Sequence, residues 1–224
     1  MTAGWSLVVP VKGTIDAKSR LGDDRSAQER SSLALAFAHD TVVAAVGTAR
    51  VARVYIVTDA EIDWPASTTA GTAATAATAT VVVVPEGERR GLNAAIDRGI
   101  HAAMGSLESS APAAGIAVLL GDLPALRSED LDAALASAEE VDRGFVPDAE
   151  GTGTTLLTAR AGLPLEPRFG EDSAAAHAAL GHVSLDAGTS LRRDVDVPAA
   201  LEEAVRLGVG ERTRAALSPQ RIRS

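Results

Sequence analysis

Short apolar runs alternate along the chain with longer stretches whose apolar residues recur at helical spacing. Such alternation predicts crossover connections, and therefore an α/β fold with a mostly parallel central sheet flanked by helices. The predicted strands cover residues 5–11, 54–59, 81–84, 116–120, 145–147, 155–159 and 183–185. The predicted helices cover residues 26–46, 91–104, 128–138, 173–180 and 198–207. We assign residues 1–217 to this single domain and expect residues 218–224 to form a flexible tail.

Two local features between these elements carry expectations of their own. Ser128 is predicted to cap its helix, because two acidic residues of a first helical turn follow it directly. The Ala/Thr-rich segment 66–80 is interpreted as a surface loop or a padded helix that takes no part in the chemistry.

The composition excludes several classes of function. The net charge of −9 and the aromatic content of 3% argue against a nucleic-acid binder, which needs a basic surface and rings on which bases stack. The absence of cysteine removes disulfides, thiolate metal sites and thiol nucleophiles. No apolar run approaches the length of a membrane span, and the N-terminal residues read as a strand rather than a signal peptide. We expect a soluble cytoplasmic protein without a membrane partner, and a homodimer is left open.

Several catalytic motifs are absent from the sequence. There is no G-x-G-x-x-G after the first strand, no G-x-x-x-x-G-K-[ST] and no G-x-S-x-G, which argues against a dinucleotide site, a P-loop and a hydrolase elbow. The four histidines show no metal-ligand spacing, and we interpret each as a surface or capping residue: His39, His101, His177 and His182.

The chain contains only two lysines, and both lie in one loop after the first strand. Against 19 arginines, Lys12 and Lys18 stand six residues apart. In parallel sheets, ligands bind beyond the carboxyl ends of the strands. A compact ammonium on a flexible stem suits a phosphate group there. The alternative is that both are solvated surface lysines.

Three acids could hold a cation at the same edge of the sheet. Asp122 follows a predicted strand in Gly121-Asp122-Leu123-Pro124, and Asp194 and Asp196 would share one face of an extended segment. Carboxylate oxygens are the hard ligands that Mg²⁺ prefers. The alternatives are that Asp122 caps a helix and that Asp196 is the N-cap of the helix whose first turn holds Pro198.

Two further loops could bind anions or a nucleotide. After the third strand, Pro85-Glu86-Gly87 precedes a helix start at Gly91-Leu92-Asn93, where free N–H groups and an amide could meet a base or ribose. The second place combines Gly151-Thr152-Gly153-Thr154-Thr155 with the loop 168–173, as a second anion pocket. Ordinary caps and a glycine-rich turn are the alternative interpretations.

The order of these motifs resembles one family, the guanylyltransferases of coenzyme F-420 biosynthesis, which act on 2-phospho-L-lactate or phosphoenolpyruvate. The resemblance spans about residues 7–207. The motifs that carry it are VPVKGTIDAKSRL, VPEGERRGLNAAI, LLGDLPAL, GTGTTLL, RFGEDSAAAH and RRDVDVP. The resemblance implies a nucleotidyltransferase architecture of the Rossmann-like, GT-A-like kind.

The resemblance also implies roles for particular residues. The GTP side would be formed by Lys12, Gly13, Lys18, Pro85, Glu86, Gly91 and Asn93, with the lysines on the phosphates. The acceptor, phosphoenolpyruvate or a related phosphorylated three-carbon acid, would contact Thr155, Gly170 and Ser173. Magnesium would be held by Asp122, Asp194 and Asp196. Lys12 and Asp122 are the candidate catalytic residues.

The implied chemistry needs no general base, because a phosphomonoester with a second pKa of about 6 is largely dianionic at neutral pH. Its phosphate would attack the α-phosphorus of GTP, and pyrophosphate would leave. Three alternatives stay open: the same reaction on 2-phospho-L-lactate or 3-phosphoglycerate, a nucleotidyltransferase acting on a sugar phosphate or a molybdopterin, and a non-catalytic nucleotide-binding protein.

Overall fold

The computed structural model describes residues 4–11, 26–65, 79–88, 90–107 and 113–218. The strands are β1 Gly4–Pro10, β2 Val51–Val57, β3 Thr80–Val84, β4 Ala113–Leu119, β5 Arg143–Pro147, β6 Thr154–Arg160 and β7 Val183–Ser184. The helices are α1 Ala27–Val46, α2 Leu92–Leu107, α3 Ser128–Ala138, α4 Ser173–Ala179, α5 Thr189–Arg192, α6 Pro198–Leu207 and α7 Glu211–Leu217. The predicted α/β architecture is confirmed.

These strands form one sheet in the order β3-β2-β1-β4-β6-β5-β7. The strands β3, β2, β1 and β4 are parallel, and β7 is parallel to β5. Only β6 among the described strands runs the other way, antiparallel to both β4 and β5. Its first residues therefore lie at the edge where its neighbours end.

Both faces of the sheet are covered, as the continuous apolar runs of the parallel strands require. In β1, Leu7 and Val9 belong to the core beneath α1 and α3, whereas Val8 belongs to the core beneath α2 and α4. A smaller apolar cluster joins α1 to α6 and α7. The faces of the sheet are thus covered, and the loops that follow β1, β3 and β4 and the loop that precedes β6 lie at its carboxyl edge.

Helix α2 lies unusually close to the parallel strands. A Cβ placed on Gly99 would be 2.4 Å from Cγ1 of Val8 and 2.7 Å from Cγ2 of Val57. Such distances leave no room for a side chain, so the helix backbone packs directly on β1 and β2. This contact sets the distance of α2 from the sheet.

Some local expectations were wrong. Ser128 is not a cap: Arg127 holds that position, and the Ser128 hydroxyl donates a hydrogen bond to the carbonyl of Ala44 at 2.8 Å. The short helices α5 and α7 were not predicted from the sequence.

The predicted low-complexity segment 66–80 lies outside the described residues as far as residue 78, and residues 219–224 of the predicted tail also lie outside them. In the described part of the chain, no helix combines the length and the apolar character needed to cross a membrane.

Candidate functional site

Three carboxylates converge beyond the end of β4. Asp122, Asp194 and Asp196 each offer one oxygen, and these oxygens lie within 4.8 Å of one another. Asp194 also belongs to a second group of the same kind, with Asp148 and Glu150. Converging carboxylate oxygens repel one another at these distances and suit a hard divalent cation.

The loop that carries Asp122 is fixed by hydrogen bonds to both polar groups of the peptide unit that joins Asp122 to Leu123. Leu123 is fully buried, and its N–H donates to Oγ1 of Thr41 at 3.1 Å. The carbonyl of Asp122 accepts a hydrogen bond from the N–H of Val195 at 3.0 Å. Helix α3 begins at Ser128, so the alternative in which Asp122 caps a helix is wrong.

Alternation of side chains brings Asp194 and Asp196 to the same place. Val195, between them, is fully buried in the cluster beneath α6, which turns its two neighbours the other way. The N-cap of α6 is Val197 and Pro198 opens the helix, so the alternative role of Asp196 as N-cap is wrong.

Two arginines hold the segment before these acids. The Arg192 guanidinium donates to the carbonyls of Pro147 and Asp148 at the end of β5. Arg193 forms ion pairs with Glu150 at 2.6 Å and Glu203 at 2.9 Å. Because these contacts attach the segment to both β5 and α6, the position of Asp194 is set by the fold around it.

The start of β6 lies beside the end of β4. The N–H of Leu120 donates to the carbonyl of Thr155 at 3.0 Å, two residues before Asp122. Thr155 is fully buried, and its hydroxyl lies 3.5 Å from the carbonyl of Val146, at the limit of a hydrogen bond. The antiparallel direction of β6 thus brings the start of this strand to the end of β4, just before Asp122.

The loop before α4 reaches the same edge. Gly170 has a φ of +139°, which only glycine adopts readily, and Asp172 has a φ of 53°. Ser173 is buried and opens α4, and the next N–H, of Ala174, donates to the carbonyl of Thr152 at 3.0 Å. This bond ties α4 to the glycine-rich turn that precedes β6.

His177 is a buried member of this region, so its interpretation as a surface residue is wrong, and the same holds for His182. The Nδ1 of His177 lies 2.9 Å from Oγ1 of Thr154, and its Nε2 accepts the N–H of Arg168 at 3.0 Å. Burial, together with His182 and Arg168, lowers the pKa of His177 to about 4. The ring is therefore neutral at physiological pH. The sequence offered no signal for it beyond its place in the helix of the RFGEDSAAAH motif.

The predicted nucleotide loop follows β3. Oδ1 of Asp59, beyond β2, accepts the N–H of Glu86 at 2.9 Å, which fixes the turn after Pro85. Gly91 precedes α2 with a φ of +96°. Asn93 lies in the first turn of α2, and its amide meets the backbone of Phe169 rather than open solvent.

The structure thus brings together Asp122, Asp194 and Asp196, and it pairs Thr155 with Leu120 at the end of β4. It also links Asn93 to the loop that leads to Gly170 and Ser173. Lys12, Gly13 and Lys18 lie outside the described residues, and their roles stay predictions. The last described residue before the loop of the two lysines is Val11, whose N–H donates to the carbonyl of Val57 at 2.9 Å. The loop accordingly departs from the same edge of the sheet.

This fold is that of the nucleotidyltransferases. The chain is similar to a 4-diphosphocytidyl-2C-methyl-D-erythritol synthase of known structure, with a TM-score of 0.55, 14% identity, and coverage of 92% of this chain and 99% of that one. It is also similar to a nucleotidyl transferase from Methanothermobacter, with a TM-score of 0.51, 17% identity, and coverage of 92% and 98%. At this identity the likeness concerns the fold.

The sequence comparisons define the family. Residues 5–187 match the family described as "Guanylyl transferase CofC like". The chain is 47% identical over 213 residues to a phosphoenolpyruvate guanylyltransferase of Streptomyces coelicolor, covering 94% of each chain. It is 46% identical over 216 residues to a phosphoenolpyruvate guanylyltransferase of Salinispora arenicola, covering 95% of this chain and 93% of the relative. The chain belongs to the CofC-like guanylyl transferase family.

Proposed function

We propose that this protein transfers the guanylyl group of GTP to phosphoenolpyruvate, as a step of coenzyme F-420 biosynthesis. An oxygen of the acceptor phosphate forms a bond to the α-phosphorus of GTP. The bond from that phosphorus to the bridging oxygen breaks, and pyrophosphate leaves with that oxygen. The names of relatives 41–47% identical to the chain support the choice of substrates. The observation that carries the proposal is the convergence of Asp122, Asp194 and Asp196 beside the start of β6.

The three acids are the proposed holders of Mg²⁺. Their oxygens lie within 4.8 Å of one another, and hard oxygen donors so placed fit this ion. When bound, the ion neutralises the phosphate charges that build up during the transfer. The chain contributes the fixed placement of the acids, through the backbone bond between Val195 and Asp122 and the arginine contacts before Asp194.

No protein group is needed as a general base in this reaction. The acceptor phosphate is already largely dianionic at neutral pH. The buried His177 does not serve as one, because Nε2 is engaged by Arg168 and Nδ1 by Thr154. Catalysis in the proposal is positioning and charge neutralisation, with Lys12 on the α-phosphate and the leaving pyrophosphate, and Lys18 holding the nucleotide.

The two substrates occupy the two halves of the carboxyl edge in this proposal. GTP lies at Gly13, Pro85, Glu86 and Gly91, before the start of α2. The acceptor lies at Thr155, Gly170 and Ser173. The structure supports this division because Pro85 and Glu86 follow β3 and Gly91 precedes α2, whereas the second group belongs to β6 and α4 and the loop between them.

The test is to identify the product by mass spectrometry. The protein is incubated with GTP, Mg²⁺ and an equimolar mixture of phosphoenolpyruvate, 2-phospho-L-lactate and 3-phosphoglycerate. The expected product is the guanosine diphosphate diester of enolpyruvate, with one pyrophosphate released per turnover. If the main product came from 2-phospho-L-lactate or 3-phosphoglycerate, that acid would be the acceptor instead of phosphoenolpyruvate. Equal turnover with CTP and a sugar phosphate would contradict the proposal.

A further inference from the structure

One side chain joins the first turn of α2 to the loop before α4. The amide Nδ2 of Asn93 donates to the carbonyl of Phe169 at 2.9 Å, and the N–H of Phe169 donates to Oδ1 of Asn93 at 2.9 Å. A side-chain amide that meets both polar groups of one residue imitates a pair of backbone bonds in a sheet. It therefore fixes the direction of the chain at Phe169 as well as its distance from α2.

The same loop is held from the opposite side by α4. Nε2 of His177 accepts the N–H of Arg168 at 3.0 Å, and the rings of His177 and Phe169 meet edge to face with centroids 5.1 Å apart. Phe169 itself is 7% exposed and packs in the core beneath α2. Two consecutive residues are thus fixed immediately before Gly170, which has the left-handed φ of +139°.

Asn93 and Phe169 belong to different halves of the site. Asn93 stands two residues after Gly91, on the helix that packs on β1 and β2 through Gly99. Phe169 lies 76 residues further on, in the loop that leads to Gly170 and Ser173. The pair of bonds therefore joins α2, which packs on β1 and β2, to the loop that follows β6.

We propose that Asn93 is a positioning residue that holds the Phe169–Gly170 turn in place for the acceptor acid. Asn93 acts through Phe169 in this arrangement, rather than by reading a guanine or ribose edge. The inference rests on the proposed function for the identity of the two substrates. The two hydrogen bonds between Asn93 and Phe169, which we call the clamp, are seen in the structure itself. Loss of these bonds weakens acceptor binding and leaves GTP binding nearly unchanged.

Steady-state kinetics distinguish positioning from direct nucleotide contact. In Asn93→Ala, the KM for phosphoenolpyruvate should rise about tenfold or more, because two hydrogen bonds are removed, while the KM for GTP stays within about twofold. Asn93→Asp has the same shape and can only accept, so it loses the bond to the Phe169 carbonyl and should raise the same KM. Asp97→Ala is the matched control: Asp97 is exposed one turn further along α2, and both KM values should match the wild type.

Hydrogen–deuterium exchange at the Phe169 amide tests the clamp without turnover or ligands. The amide should exchange about tenfold or more faster in Asn93→Ala than in the wild type and in Asp97→Ala. Unchanged exchange would overturn the clamp. A rise in the KM for GTP as large as that for the acceptor, or an unchanged acceptor KM, would overturn the positioning role.

The failure of the proposed function has a separate signature. If the wild type formed no guanylylated product from any of the three acids, the assignment of substrates would be wrong. The exchange measurement would still decide whether Asn93 holds the turn.

Discussion

The imidazole of His177 accepts a hydrogen bond from the backbone N–H of Arg168 at 3.0 Å. Because Nε2 is the acceptor, the ring proton resides on Nδ1, which donates to Oγ1 of Thr154 at 2.9 Å. A second proton on Nε2 would face the Arg168 N–H. Protonation of His177 therefore opposes the native placement of the loop before Gly170.

The stability of the protein should fall as the solution is acidified. The pKa of His177 is lowered to about 4 by burial, with smaller effects of His182 and Arg168, against an ordinary value of 6.5. The unfolded chain therefore binds more protons than the folded one between about pH 6.5 and about pH 4. The free energy of unfolding decreases across this window, and His182, whose pKa is also lowered by burial, adds to the effect.

Urea unfolding of the wild type and His177→Gln at several pH values measures this contribution. Glutamine cannot take up a proton here, so the free energy of unfolding of the variant should depend less steeply on pH between about 6.5 and about 4. Parallel curves for the two proteins would show that His177 does not titrate differently on folding.

Neutralising any one of the three converging acids should abolish most turnover. Asp122→Asn, Asp194→Asn and Asp196→Asn each remove one charge from the proposed cation site, so kcat should fall on the order of a hundredfold or more. Pyrophosphate release in the presence of GTP, acceptor and Mg²⁺ is the measurement, and EDTA should stop the wild-type reaction. Glu140→Gln, an exposed acid in the turn after α3, is the control. Full activity in all three variants would remove the acids from the mechanism.

Lysine should be required at position 12 in a way that arginine cannot replace. Lys12→Ala should lose most of kcat, and Lys12→Arg should recover little of it, because a planar guanidinium cannot follow the phosphates as a compact ammonium does. Single-turnover GMP transfer measures both. A fully active Lys12→Arg would contradict the argument from a compact charge.

Ser173→Ala should act on the acceptor. Ser173 is buried at the start of α4, in the loop that the proposal assigns to phosphoenolpyruvate. The variant should raise the KM for the acceptor several-fold, by about the value of one hydrogen bond, and change the KM for GTP less. Ser137→Ala, on the exposed side of α3, serves as the matched hydroxyl deletion. A larger effect on GTP would mean that the two substrates are assigned to the wrong halves.

Two glycines of α2 should respond oppositely to the same substitution. Gly99→Ala places a methyl group 2.4 Å from Val8 Cγ1, and such overpacking costs about 1–3 kcal/mol. A Cβ on Gly105 meets nothing within 4 Å among the described residues, so Gly105→Ala should gain up to about 1 kcal/mol from helix propensity. Chemical denaturation measures both, and a stabilised Gly99→Ala would show that the helix can move away from the sheet at little cost.

Much of the fold could be predicted because its signals are local. Apolar runs and helical spacing predicted α1, α2, α3, α4 and α6 and all seven described strands to within about three residues. The proximity of Asp194 and Asp196 was likewise predictable from their i, i+2 spacing in an extended segment. Their meeting with Asp122 was expected from the order of the motifs, and the bond between Val195 and Asp122 supplies the physical reason.

The remaining features depend on contacts between distant residues. The sequence predicted a role for Asn93 at the nucleotide, but it could not indicate the contact with Phe169. A partner 76 residues away leaves no periodic pattern. The sequence pattern also gives no indication that β6 is antiparallel, because its residues predict an apolar strand in either orientation. Helix α7 was missed because its first-turn N–H groups are satisfied by Asp40, 172 and 173 residues away, rather than by a local cap.

The reversal of β6 has a consequence for how substrate preference can change in this family. Under the proposed assignment, every acceptor contact comes from the single stretch between β6 and α4, whereas the nucleotide contacts come from loops that precede α2 or begin it. A new acceptor can therefore be gained by mutation within one continuous part of the gene. The loops that recognise GTP can be inherited intact, provided that the changes preserve the bonds between Asn93 and Phe169.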